Sequence, residues 1–212
     1  MLDADDRFPD VEGAHIIRLG HTLDALGCAA LPPLAEQRMR GLATRTRPFL
    51  EQAELVIIVA GLGGGTGTGA SHEYARQAKL QGATVLSIAA LPFDHQPTRK
   101  KIAQAEIKRL EHHSDVCVQL SLDRLARQAR DRGKDWSMGS EWVEDLIDGL
   151  VRTLLSMGLI NLDLMDLRAI VQHQGASTML VGTGHHDQLE SLYNATIKAP
   201  LAPMNVAGAK GC

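Results

Sequence analysis

The chain has 212 residues, with 22 Lys and Arg against 25 Asp and Glu and a formal net charge of -3. Hydrophobic residues are 44% and charged residues 22%, which excludes a wholly disordered chain and one that coats nucleic acid by bulk positive charge. No run of about 18 apolar residues exists, the opening MLDADDRFPD lacks the apolar segment of a secretory signal, and Cys28, Cys117 and Cys212 form no CxxC pair. The expected setting is a reducing cytoplasm, without membrane insertion, a disulfide framework or a metal centre.

Short apolar runs alternate with longer amphipathic stretches. AHIIRLG at 14–20 reads as a strand, and 34–52 as one charged helix. ELVIIVAG is a strand of the buried type that runs into glycines. SHEYARQAKLQ is a helix stopped by Gly82, ATVLSIAALPF a strand closed by Pro92, TRKKIAQAEIKRLEHH a helix, and DVCVQL a strand. This alternation predicts an α/β fold with an open, mostly parallel sheet covered by helices. After a polar loop at 132–140, EWVEDLIDGLVRTLLSM is a long helix with Trp142, Leu146, Leu150, Leu154 and Met157 at helical spacing, expected to be buried on most sides. A helix then begins near Asp163, STMLVGTG is a strand, and HDQLESLYNATIKA is a last helix.

Five glycines and two threonines occupy the seven positions Gly63-Gly64-Gly65-Thr66-Gly67-Thr68-Gly69, between a strand and a helix. Such a loop is an anion cradle. Glycines allow the left-handed turns that aim several amide N–H groups one way, and the following helix adds the positive end of its dipole. Thr66 and Thr68 carry hydroxyls suited to phosphate oxygens. No Lys-Ser/Thr pair follows, so it is not a Walker loop, and threonines interrupt the GxGxxG spacing. A tight turn without a ligand is the alternative.

GGGTGTG resembles the signature of the tubulin and FtsZ superfamily. ELVIIVAGLGGGTGTGA, ALPFDHQPTRKK, VQLSLDRL, GLINLDLMDL, QGASTMLVGTG, IKAPL and MNVAGAKG resemble successive FtsZ segments in the same order, across about residues 11–210. The resemblance implies a nucleotide-binding domain at 1–157, including a central helix, and a truncated second subdomain at 158–212. It implies contacts to GTP or GDP, with Mg beside GTP, from Gly63 to Gly69, Arg99 and Ser140. It also implies head-to-tail assembly, in which Asn161, Asp163 and Asp166 of the synergy loop act on the nucleotide of a neighbouring subunit.

Departures from the family pattern shape the expected activity. FtsZ opens with a strand and another glycine-rich loop, where only MLDADDRFPD precedes Val11 here, so the core is expected to be incomplete and shortened at both ends. The Asn-Thr-Asp of the family aligns with Gly20-His21-Thr22. The later glycine-alanine phosphate loop has no expected counterpart, because Ala30 to Ala53 holds little more than one helix. The ribose-holding glutamate aligns with Gln96, the phosphate-reaching basic residue with Arg99 or Lys100, and the asparagine of Asn-Asp-Arg/Lys with Leu122. The guanine-reading residue aligns with Ser140 and the stacking Phe with Trp136. The expectation is weak or absent nucleotide binding, weakened GTPase activity, and assembly with itself or with a complete FtsZ. The alternative is a non-hydrolysing protein that caps or modulates filaments of a complete FtsZ.

Other candidates are set aside on physical grounds. His112-His113 and His185-His186 are adjacent pairs that diverge by about 100° on a helix and share no ligand face. His72 is expected to be an exposed first-turn residue. Arg124, Arg127, Arg130, Arg132 and Lys134 read as a solvated helix face. Cys117 reads as core.

Overall fold

The computed structural model describes residues 1–3, 12–20, 27–131, 133, 140–155, 163–171 and 187–197. The chain divides into two compact units, Met1–Cys117 and Val118–Cys212.

In the first unit, β1 (Leu2–Asp3) pairs in parallel with β2 (Ile17–Arg18). The strand expected over 14–20 is thus reduced to two residues. α1 (Pro32–Gly41) and α2 (Ala43–Leu50) stand where one helix was expected. The break falls at Leu42, next to a glycine that weakens helix, and Leu42 N–H turns back to the Met39 carbonyl at 3.0 Å. Pro32 and Pro33 start α1, where their missing N–H groups cost nothing.

β3 (Leu55–Gly61), α3 (Thr66–Leu80), β4 (Thr84–Leu91), α4 (Pro97–His113) and β5 (Val116–Ser121) follow. The sheet order is β3-β4-β5, and β3 pairs with β4 in parallel from Leu55↔Thr84 to Gly61↔Ala90. This is the α/β architecture that the alternating pattern predicts. Val56, Ile58 and Ala60 point to one face of β3 and join Val85, Ala89, Ala75, Ala78, Ala103, Ile107 and Leu110 in the main core. The alanines let α3 lie close to the sheet. A second cluster joins Leu19, Cys28, Ala35, Met39 and Ala70, and so fixes α1 on α3.

A buried polar bridge ties three helices. Thr46 of α2 donates to Gln77 Oε1 at 2.8 Å, and Gln77 Nε2 donates to Glu73 Oε1 at 3.1 Å and to the Met39 carbonyl at 3.3 Å. Gly82 ends α3 with a φ of +84°, as its sequence position predicts.

In the second unit, α5 (Leu122–Asp131) starts immediately after β5 and carries Arg124, Arg127 and Arg130. α6 (Ser140–Leu155), α7 (Leu164–Val171) and α8 (Leu189–Ile197) complete the described helices. α6 is not buried on most sides. Leu146 is buried, Leu150 and Leu154 are half-buried, and Leu155 is 80% exposed. No helix among the described residues is long and apolar enough to cross a membrane. The strand expected at STMLVGTG, His185-His186 and the terminal segment from 198 lie outside the described residues.

Candidate functional site

The glycine-rich segment is shorter as a loop than its sequence suggests, because α3 begins at Thr66. Residues 62–65 form the turn, and Thr66-Gly67-Thr68-Gly69 form the first helical turn. The turn follows the C-terminal end of β3, where open parallel sheets place their ligands. Gly65 caps α3 without a side-chain hydrogen bond. The first amides of the helix have no preceding turn to bond to and present the positive dipole end.

Most of the glycines answer to packing. Gly63 has a φ of +94°, and a Cβ there would lie 2.8 Å from the Arg99 carbonyl oxygen. A Cβ on Gly65 would lie 2.6 Å from the Cys28 carbonyl oxygen, on Gly67 2.3 Å from that of Gly61, and on Gly69 2.0 Å from that of Pro32. These approaches fold the turn down onto β3, α1 and α4. Gly64 differs: a Cβ there would meet nothing within 4 Å. It is the glycine of this turn whose Cβ position faces open space.

Thr68 is turned inward. It is buried, and its Oγ1 accepts the Gly63 N–H at 2.9 Å, so it braces the turn from within. Thr66 is half-buried. Arg99 is exposed near the start of α4, its main chain against Gly63. Lys100, the other basic candidate, is ion-paired with Asp94. Gln96 is the N-cap of α4, and Leu122 opens α5 with a side chain that has no hydrogen-bonding group for a base. Ser140 opens α6. Its side chain, Asn161, His21, Thr22 and Trp136 lie outside the described residues.

A second turn lies at 27–30. Gly27, Ala29 and Ala30 have φ of 72°, 45° and 55°, and Leu31 N–H closes the turn on the Cys28 carbonyl at 2.7 Å. Left-handed alanines cost about 1–2 kcal/mol each and persist where surrounding structure demands them. Here the turn lies against Gly65 and forms a wall beside the glycine-rich turn. Its sequence signal is Gly27 alone, since alanine does not announce a positive φ.

Asp163 and Asp166 form a reciprocal cap at the start of α7. Asp163 Oδ1 accepts from the N–H groups of Met165 at 2.8 Å and Asp166 at 2.9 Å, and Asp166 Oδ2 accepts the Asp163 N–H at 3.1 Å. Both residues are exposed. Asp163 Oδ2 takes no part in these bonds.

His72 contradicts its expected exposure. One turn beyond Gly69, it is 1% exposed, with Nε2 lacking a hydrogen-bond partner. Glu36 Oε2 of α1 lies 3.7 Å away and Glu106 Oε2 of α4 3.8 Å away. Arg109 occupies both carboxylates, donating to Glu36 at 2.8 Å and to Glu106 at 3.0 Å. The bond from Arg109 holds the Glu36 carboxyl below its ordinary value. Burial, and then the Arg109 charge, hold His72 neutral to lower pH than a free imidazole. This cluster joins α1, α3 and α4 beneath the turn. Among the described residues, no group of three or more His, Cys, Asp and Glu is set to hold a metal. Cys117 is half-buried, and burial pushes its thiol up to about 12, which makes it a poor nucleophile.

Residues 15–130 match the family described as Tubulin/FtsZ family, GTPase domain. The chain belongs to the tubulin/FtsZ family. It is 30% identical over its whole length to cell division protein FtsZ 2 of Haloferax volcanii, covering 52% of that protein. It is 32% identical to cell division protein FtsZ 1 of Thermococcus kodakarensis over 92% of this chain and 54% of that one. The solved empty FtsZ dimer of M. jannaschii matches with a TM-score of 0.72 and 26% identity, over 85% of this chain and 54% of that chain. The chain thus spans about half the length of the curated FtsZ relatives it matches. Within this tubulin/FtsZ-family domain the matched region includes the turn at 62–65, the turn at 27–30 and the His72 cluster, but ends before Asp163.

Proposed function

We propose that this chain is an FtsZ-like protein that holds the phosphates of a guanine nucleotide, weakly, at Gly63–Gly69, and associates head to tail with itself or with a complete FtsZ. The observation that carries the reading is Gly64. A Cβ there would meet open space, just before a 15-residue helix that starts without a side-chain cap, while the glycines around it are used in packing. An anion gains there from unpaired amides and the helix dipole. Arg99 is the candidate cation beside it, and Mg would accompany GTP on the phosphates.

Base and ribose recognition is the weak part. Leu122 offers no hydrogen bond, and a purine buried without its partners forfeits both affinity and selectivity. Guanine nucleotide should bind at least tenfold more weakly than to a complete FtsZ, about 1.4 kcal/mol. Titration calorimetry with GTP, GDP and ATP tests this. Tight binding with clear preference for GTP over ATP would overturn the weak-pocket reading, and no binding of any of the three would overturn the phosphate site.

A second reading draws on the exposed cap at Asp163 and Asp166. These exposed carboxylates would meet a nucleotide held by another subunit, with Asn161 in the role that the family resemblance implies. The chain would then act on a complete FtsZ as a cap or modulator, with little turnover of its own. Substoichiometric chain added to polymerising FtsZ, followed by light scattering and phosphate release, separates the two readings. Shorter filaments favour the modulator, and unchanged signals at equimolar chain exclude it.

A further inference from the structure

The buried imidazole of His72 has no part in holding a phosphate, yet it sits on the helix that begins at the glycine-rich turn. Charged groups surround it from three helices: Glu36 and Arg40 on α1, Glu73 and Arg76 on α3, and Glu106 and Arg109 on α4. Their charges match. Arg40 donates to Glu36 at 2.7 Å and lies 3.7 Å from Glu73, Arg76 donates to both oxygens of Glu73, and Arg109 bridges Glu36 and Glu106. The cluster is therefore neutral while His72 is neutral. It gains one net positive charge when His72 takes a proton.

The imidazole is placed to take that proton. Nε2 has no hydrogen-bond partner among the described residues, while Glu36 Oε2 stands 3.7 Å away and Glu106 Oε2 3.8 Å away. A hydrogen bond to either carboxylate needs a closure of only about 0.8 Å. Arg109 is exposed and can turn outward as the new charge forms. Burial and the Arg109 charge delay protonation, so the charge forms on mild acidification and not at neutral pH. His113, further along α4, is the other imidazole near these guanidiniums, and burial holds it below the ordinary range as well.

Two features connect this charge to the turn. His72 lies six residues past Thr66, about 9 Å along the α3 axis, and a buried charge is weakly screened over that span. A cation there adds to the positive end of the helix dipole that faces the turn. In addition, α1 and α4 hold the turn in place. A Cβ on Gly69 would meet the Pro32 carbonyl and one on Gly63 the Arg99 carbonyl, both closer than 3 Å. The helices that carry Glu36 and Glu106 are thus the ones against which the turn is packed.

We propose that His72 is a proton-linked control on the anion site: a proton on His72 strengthens the hold of the glycine-rich turn on a phosphate group, and a bound phosphate in turn favours the proton. This rests on the phosphate-binding reading given above and adds to it an affinity that rises in mild acid.

Sulfate is the probe, because it keeps its charge between pH 7.5 and pH 5, where a terminal phosphate titrates. The full chain is titrated with sulfate and its Gly64 amide followed by NMR. Affinity should rise at least about fivefold from pH 7.5 to pH 5 in the unmodified chain, and less than about twofold in His72→Gln. His113→Gln should keep the rise. Saturating sulfate should raise the titration midpoint of the His72 ring by about 0.7 pH unit or more, the same fivefold read from the other side. Glu106→Gln removes one carboxylate that attracts the proton, so it should lower that midpoint, and it serves if His72→Gln fails to fold. An equal rise in His72→Gln, a rise lost in His113→Gln instead, or a His72 midpoint unmoved by saturating sulfate would overturn the proposal. If neither sulfate nor GTP perturbs Gly64 at any pH, the phosphate reading itself fails and the control falls with it.

Discussion

Thr68 Oγ1 accepts the Gly63 N–H at 2.9 Å, across five residues of chain and beneath the turn that carries Gly64. This hydroxyl supports the backbone that would meet a phosphate. Thr68→Ala leaves a buried N–H without a partner and should cost about 1–3 kcal/mol of stability. Thr68→Ser keeps the acceptor and should recover most of that loss. Urea unfolding of the two variants checks it, and equal losses would deny the bond its role.

The glycines should separate into two classes. Gly67→Ala and Gly69→Ala force a Cβ to within 2.3 Å and 2.0 Å of a carbonyl oxygen, so each should destabilise by about 1–3 kcal/mol or fail to fold. Gly64→Ala meets no neighbour and should change stability by less than about 0.5 kcal/mol. It should still weaken nucleotide binding, since the new methyl group stands where a phosphate would approach. Thermal melts combined with titration of GTP distinguish the classes.

His72 makes stability depend on pH in a stated direction. Its pKa in the folded chain lies below the ordinary 6.5, because burial and Arg109 outweigh the pull of Glu36, Glu106 and Glu73. The unfolded chain therefore binds more protons at this site. The contribution is fully present above pH 6.5 and is lost as pH falls below it, toward the folded pKa. His113 is shifted the same way by burial and adds to the slope. Glu36 and Glu73, whose carboxyls are also held down, lose their contribution below pH 4.5. Unfolding measured between pH 7.5 and 5.5 isolates the histidines. His72→Gln should flatten the slope there, and an unchanged slope would assign it to other groups.

Capping and catalysis at Asp163 are separable. Asp163→Ala removes the acceptor for two amides and should cost about 1 kcal/mol of local helix stability. Asp163→Asn keeps a good N-cap and loses the carboxylate. If the residue also orients water at a neighbour's phosphate, the asparagine variant should fold normally yet lower turnover in mixed filaments with a complete FtsZ at least tenfold. Turnover equal to that of the unmodified chain would leave Asp163 with capping alone.

The order of β3, α3, β4, α4 and β5, the parallel pairing of β3 with β4 and the glycine-rich turn between β3 and α3 were legible in the sequence. Continuous Val and Ile runs, Pro and Gly stops, and helical spacing are local signals. Family membership was legible for the same reason, since GGGTGTG and its flanking strand are contiguous. Tertiary structure decided what each side chain in that pattern does. Three helices meet over His72 and exclude water, which no window of sequence around SHEYARQ reports. Gly65, Gly67 and Gly69 are set by carbonyls of Cys28, Gly61 and Pro32, two of them more than 30 positions away in sequence. Ala29 and Ala30 adopt left-handed backbone because of what packs around them, against their own preference.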